Sequence, residues 1–285
     1  MRLAILDHGH RRRAKVFLAL TGLRGGTPDI VKMLLYRPRF LTRPLLALAV
    51  PAMRGPSFWS AGEREFLAMS TAQTLQCPFC IDTHAELTRI ASSGAIDPDE
   101  PTSIRPELVA VRDFLATQGG SPNAGPVAAG LPTSAVLEAL RVALVFNIIG
   151  RLANTFGFVL REGQAENGAR ALHRVGYRFP GFLIAGGPDT GGGDAIDLLR
   201  QSVLDGPGST DPALRSAAAS GAPMPEPWRS FTAQVRDASY TIGDAEIDQL
   251  LAAGNTEDDI FEVTVAAATG AAIRAFDLGC GSLAR

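Results

Sequence analysis

The sequence predicts an all-α protein. Alanine is frequent and apolar residues recur three or four apart, while alternating β-branched runs are hard to find. Helix start and stop signals also bracket most of the periodic stretches. At 285 residues, 46% hydrophobic and 20% charged, the chain can bury a sizeable core in one large domain or two ordinary ones.

Taken in order, residues 28–36 open with Pro28 and continue with apolar residues at helical spacing. Residues 44–53 read as a second, mostly buried helix that Pro51 kinks or ends. Ser60 followed three residues on by Glu63 is a capping box, so a helix starts near Ala61. Cys77-Pro78 marks a new start, because a proline at the first helical position leaves no donor unpaired. That helix is expected to run from about Pro78 to Ser92 and to end at Gly94. The two form an antiparallel helical hairpin turning near Gln76. Residues 106–118 and 133–160 are further helix candidates, with loops over 94–106 and 119–132. Residues 186–193 and 205–227, rich in Gly and Pro, are expected to be flexible. Helices return over 244–253 and from a Thr256–Asp259 cap to about Leu278.

The pattern RPELVAVRDFLA, loop, then a helix bearing Arg151 and Asn154 is echoed by WRSFTAQVRDAS, loop, then a helix bearing Arg274 and Asp277. This suggests a degenerate tandem arrangement, with residues 1–165 carrying the cysteine hairpin and 166–285 forming an extension or second unit without it.

A formal net charge of -2 argues against general nucleic-acid binding. The basic cluster Arg11–Arg13 with Lys15 is short and reads as a solvated helix start. Apolar stretches such as Pro44–Ala52 and Val142–Ile149 fall well below a membrane span, and no targeting segment is evident. Three cysteines do not make a disulfide scaffold. The expectation is a cytoplasmic protein without membrane or nucleic-acid partners.

The chemistry is concentrated in QCPFCIDTHAE, residues 76–86, which holds two of the three cysteines and one of four histidines. Cys77 is the expected N-cap and Cys80 the third helical residue, where free N–H groups and the helix dipole favour a thiolate. This predicts a Cys80 thiol below the ordinary value of about 8.5. His84 lies one turn beyond Cys80, placed to exchange a proton with it. Glu65 returns opposite residues 84–88 in the hairpin and can orient His84, whereas Glu63 is claimed by the capping box. Two thiols at this spacing suit redox exchange, in which one attacks an oxidised group and the other closes a disulfide. The same residues leave two other readings open: a pair of core cysteines, or zinc held by Cys77, Cys80, His84 and Glu65, a tight set for one tetrahedral ion.

EREFLAMSTAQTLQCPFCIDTHAELTRIASSG resembles the active-site hairpin of the AhpD-like, or carboxymuconolactone decarboxylase-like, superfamily. The resemblance extends over about 28–165. LYRPRFLTRPLLALAVPAMRGPSFWSAGERE is similar to the lead-in of peroxidase-related members, and EALRVALVFNIIGRLANTFG to a downstream family helix carrying Phe146, Asn147, Arg151 and Asn154. Residues 240–277 also resemble that downstream region. The resemblance implies an all-helical fold, homo-oligomers and alkyl hydroperoxide reduction without a bound cofactor. Cys80 would attack the peroxide, Cys77 would resolve and face the reductant, and Glu65 and His84 would relay protons. The reductant would be an external thiol or a lipoyl or thioredoxin-like partner protein. A dimer is favoured, because the tail can fill part of the usual interface. In the peroxidase branch a second histidine stands between the cysteines; here Phe79 occupies that place. The decarboxylase branch lacks the thiol pair, so Cys77 and Cys80 argue against that reaction. The competing functions are a disulfide reductase acting on a small thiol or lipoyl partner, and a non-enzymatic helical oligomer whose thiols sense oxidation or hold zinc. Cys280, far off in sequence, has no assigned role.

Overall fold

A computed structural model describes residues 1–22, 26–117, 130–184 and 194–283. Among the described residues there are fifteen α-helices and no strand, so the protein is all-α. The loops expected over 119–132 and 186–193 lie outside the described residues, apart from 130–132.

The chain begins with α1 (Ile5–His8), α2 (Arg12–Gly22) and α3 (Asp29–Tyr36). A wide turn at Pro38–Thr42 leads into α4 (Arg43–Arg54), which continues through Pro51. In α5 (Ala61–Thr74), Ser60 Oγ accepts the Glu63 N–H while the Glu63 carboxylate accepts the Ser60 N–H. The chain then reverses at Gln76, whose φ of 50° allows the Cys77 N–H to reach the Ala72 carbonyl. Next come α6 (Pro78–Ala91) and α7 (Pro106–Ala116). Ser93 and Gly94, both at positive φ, close α6 through the Gly94 N–H bond to the Arg89 carbonyl.

The long α8 (Thr133–Phe156) stops four residues short of the expected 160. Gly157 takes φ 66°, and the Phe158 N–H turns back to the Ala153 carbonyl. Helices α9 (Gln164–Val175), α10 (Gly181–Ile184) and α11 (Ala195–Arg200) follow, then α12 (Pro212–Ser220), α13 (Trp228–Asp237), α14 (Asp244–Ala252) and α15 (Glu257–Leu283).

Helix α12 corrects the expectation that 205–227 is simply flexible. Asp211 accepts the Ala213 N–H, Pro212 opens the helix, and Gly221 at φ 78° closes it. The Asp-Pro and Gly signals are helix boundaries here, and the buried Arg215 anchors the element.

The chain divides into two compact units, each built from separated stretches. The first comprises residues 1–47, 151–164 and 178–271. Phe261 on α15 is packed by Tyr36, Phe40 and Phe156. Beside it lies a buried carboxylate, Glu262. It accepts from the Ser209 N–H at 2.7 Å, the Thr210 N–H at 2.8 Å and hydroxyl, and both Arg37 and Arg215. Arg215 in turn donates to the carbonyls of Val203, Gly206 and Thr210. Arg151 donates to the Arg236 carbonyl and Asn154 to Ser239.

The second unit comprises residues 48–150, 165–177 and 272–285. Its centre is α5 against α6. Gly62 sits on Ser92, so closely that a Cβ would come within 2.6 Å of the serine Cβ, while Glu65 meets His84. These pairings make the two helices antiparallel. Leu67, Ala68, Ala72 and Leu87 are buried, as are Val142, Leu144, Val145 and Ile148 of α8. The Trp59 indole N–H donates to the Ala135 carbonyl, tying the start of α5 to α8. Most residues of the apolar stretches 44–52 and 142–149 are buried. Helix α15 is long and apolar enough by composition to cross a bilayer, and Ile260, Phe261, Val263, Val265, Ala266 and Ala267 on it are fully buried.

Candidate active site

The site lies within the second unit, on the facing sides of α5 and α6. Position 77 precedes Pro78, which starts α6, so Cys77 and Cys80 share the first turn. Both thiols are free, at 0% and 2% exposure. Neighbours on one turn, they influence each other's acidity unequally. Interaction with Cys80 draws the Cys77 thiol below its ordinary value, against burial and the Asp82 charge. The same interaction, then burial and the Cys77 charge, push the Cys80 thiol well above its own. The expectation of a lowered Cys80 thiol is therefore corrected: of the two, Cys80 is pushed up and Cys77 is drawn down. A helix start does favour a thiolate, but two neighbouring thiols cannot both ionise readily, so a charge on one raises the other.

One turn on, His84 is 4% exposed and its Nδ1 lies 2.8 Å from Glu65 Oε2. Glu65 is fully buried, yet its carboxyl lies below the ordinary range. Burial works to raise it, and the His84 hydrogen bond and charge together with Arg54 outweigh that. An ionised carboxylate only accepts, so His84 donates to it from Nδ1, leaving Nε2 as the other ring nitrogen. Glu63, by contrast, is occupied by Ser60 and by Arg105.

Two further residues complete the constellation, and sequence reasoning missed both. Arg54 Nη2 donates to Glu65 Oε1 at 2.6 Å, and the Tyr177 hydroxyl donates to Glu65 Oε2 at 2.8 Å. The Arg54 guanidinium also stacks 5.0 Å from the Tyr177 ring centroid. Arg54 closes α4, a place where a cation ordinarily serves the helix end, so nothing marked it. Tyr177 follows Gly176 just beyond α9; this Gly-aromatic pair after a helix is the only signal that could have drawn notice. Phe146 on α8 packs edge-on against the His84 ring with centroids 4.3 Å apart. Phe79 is buried on the first turn of α6 beside the thiols.

The opposite face of α6 is different. A groove of about 330 Å³ runs there over Met69, Ile81 and Ala85, with Asp82, Glu86 and Glu166 on its walls. Arg89 crosses it, paired with Asp97 and Asp99. The thiols do not line it. Among the described residues, no group of three or more His, Cys, Asp or Glu side chains is arranged to hold a metal ion. Cys280 on α15 is half-buried, its thiol pushed up by burial and Asp277.

No protein-family model matches the chain, and neither a curated protein nor a solved structure matches it.

Proposed function

We propose that this protein is a thiol-dependent hydroperoxide reductase working through the Cys77–Cys80 pair. The observation that carries the reading is a buried Glu65–His84 hydrogen bond one helical turn from two free, neighbouring thiols whose acidities are shifted in opposite directions. A structural cysteine pair has no need of a charged carboxylate–imidazole couple beside it, whereas peroxide reduction has to move protons.

In this mechanism the Cys77 thiolate attacks the distal oxygen of ROOH. The O–O bond breaks, RO⁻ leaves, and Cys77 becomes a sulfenic acid. His84, oriented by Glu65, takes the Cys80 proton and passes it on to the leaving oxygen. The Cys80 thiolate then displaces hydroxide from the Cys77 sulfur, the disulfide closes, and protonation gives water. The sum is ROOH plus two thiols to ROH, water and one disulfide. An external dithiol restores the pair by exchange. This order reverses the roles that the AhpD-like resemblance implies, because Cys77 is the thiol drawn down and Cys80 the one pushed up. The full burial of both sulfurs favours a small hydroperoxide over a bulky one.

The reading is tested by single-turnover oxidation with an organic hydroperoxide, followed by intact mass and by release of the corresponding alcohol. One disulfide and one alcohol per chain, formed faster than with free cysteine, support it. Oxidation no faster than free cysteine turns the assignment to disulfide exchange, which a lipoyl or small-thiol donor would reveal directly.

A further inference from the structure

Tyr177 reaches Glu65 from a part of the chain unrelated to the hairpin. It follows α9, with Gly176 at φ 61° and Tyr177 itself at φ 65°. A bulky residue in the left-handed region is uncommon and persists only where its surroundings hold it there. Here several contacts do so. The hydroxyl donates to Glu65 Oε2 at 2.8 Å, Arg54 lies over one side of the ring, and Phe146 meets it edge-on at 6.4 Å. At Gly176 it is the positive φ, not space, that suits glycine: an added Cβ would meet Arg54 Cγ only at an ordinary contact distance of 3.6 Å. Tyr177 is 7% exposed, and burial first, then the Glu65 charge, keeps its hydroxyl protonated well past the ordinary tyrosine range. It is therefore a permanent donor at working pH.

The oxygen it binds decides what it does. Glu65 Oε2 takes both the Tyr177 hydroxyl and His84 Nδ1, while Oε1 takes Arg54. Three donors from three separate elements leave the carboxylate no rotation. We infer that Tyr177 is a positioning residue for the proton relay of the proposed reaction, pinning Glu65 Oε2 so that His84 is held in its Nδ1–H tautomer with Nε2 free to exchange protons. The inference rests on the hydroperoxide-reductase reading for its purpose, but not for its geometry. The charged and titratable groups around Glu65 are Arg54, Arg64, His84 and Tyr177, with Cys80 also close enough to act on Tyr177.

The test is Tyr177→Phe, which removes one oxygen atom and leaves the ring contacts. The readout is the ¹⁵N spectrum of the His84 imidazole, assigned with His84→Gln, beside the pH profile of thiol oxidation. In the unmutated protein neutral His84 should show a single Nδ1–H tautomer. In Tyr177→Phe it should show a mixture, and the acid limb of the rate profile should move up by about one pH unit, because the charged carboxylate has lost a donor. The effect should fall on kcat with KM nearly constant. A merely structural tyrosine would lower thermal stability and leave tautomer and pH profile unchanged, and that result overturns the inference. Should Tyr177→Phe fail to fold, the question is read on the unmutated protein by ¹³C labelling at the phenol carbon of its three tyrosines. The Tyr177 signal should shift as Glu65 protonates on acidification, and no shift overturns the inference. A tautomer change without any peroxide turnover sustains the positioning role while the proposed reaction fails.

Discussion

Glu65 and Glu262 are both fully buried carboxylates on helices, both bound to arginine, and both held below the ordinary carboxylate range against the push of burial. Their partners differ. Glu262 is surrounded by fixed donors: two guanidinium groups, two backbone N–H groups and a threonine hydroxyl. None of these exchanges a proton in the physiological range, so the cluster is a static anchor for residues 203–215. Glu65 has one guanidinium, an imidazole and a phenol, next to two thiols of divergent acidity. A buried, ionised carboxylate is thus not by itself a functional mark. What separates the two is the kind of partner: the Glu65 network includes an imidazole, beside a thiol pair, and the Glu262 cluster does not.

The largest expected effect falls on the static cluster. Glu262→Gln leaves the fully buried Arg215 without its countercharge, and urea unfolding should show a loss of about 3–5 kcal/mol. Glu65→Gln should cost less, about 1–3 kcal/mol, since Arg54 is partly solvated and keeps its bond to the Met53 carbonyl. It should instead slow thiol oxidation by roughly 10–10⁴-fold, as should His84→Ala. Equal stability losses with unchanged oxidation would break the distinction.

Acid titration sharpens the same contrast. Both carboxyls are depressed in the folded state, so the stability they contribute is present above the unfolded value of about 4.3 and is lost as pH falls below it. Glu262→Gln and Glu65→Gln should each flatten the loss of stability between about pH 4 and pH 2. Only Glu65→Gln should also change the pH dependence of thiol reactivity. At the alkaline end, Tyr36 and Tyr177 are both raised, Tyr36 by burial and Asp258, so their contribution is complete below about pH 10 and declines above it. The smallest effect is expected for Cys280→Ser, which touches neither network and should change oxidation less than twofold and stability by about 0.5 kcal/mol or less.

Local signals in the sequence were enough for the helical class, the Ser60–Glu63 and Thr256–Asp259 caps, the turn at Gln76 and the meeting of Glu65 with His84. Each depends on residues a few positions apart or on the register of two adjacent helices. Arg54 and Tyr177 were not legible, because their roles come from tertiary placement: Tyr177 lies 112 residues from Glu65. Helix α12 was hidden by glycines and prolines that read equally well as loop. The order of thiol acidity was misread for a physical reason. A helix-start argument treats each cysteine alone, whereas two neighbouring sulfurs titrate as a pair.

The central claim is that in the proposed reaction Cys77 is the attacking thiol and Cys80 the resolving one. It is tested most directly by rapid mixing of Cys80→Ser and Cys77→Ser with an organic hydroperoxide, read by intact mass. The account predicts that Cys80→Ser gains one oxygen atom on Cys77 at close to the unmutated rate, and that Cys77→Ser reacts no faster than free cysteine. Rapid gain of oxygen on Cys80 in Cys77→Ser, with a slow Cys80→Ser, would contradict it.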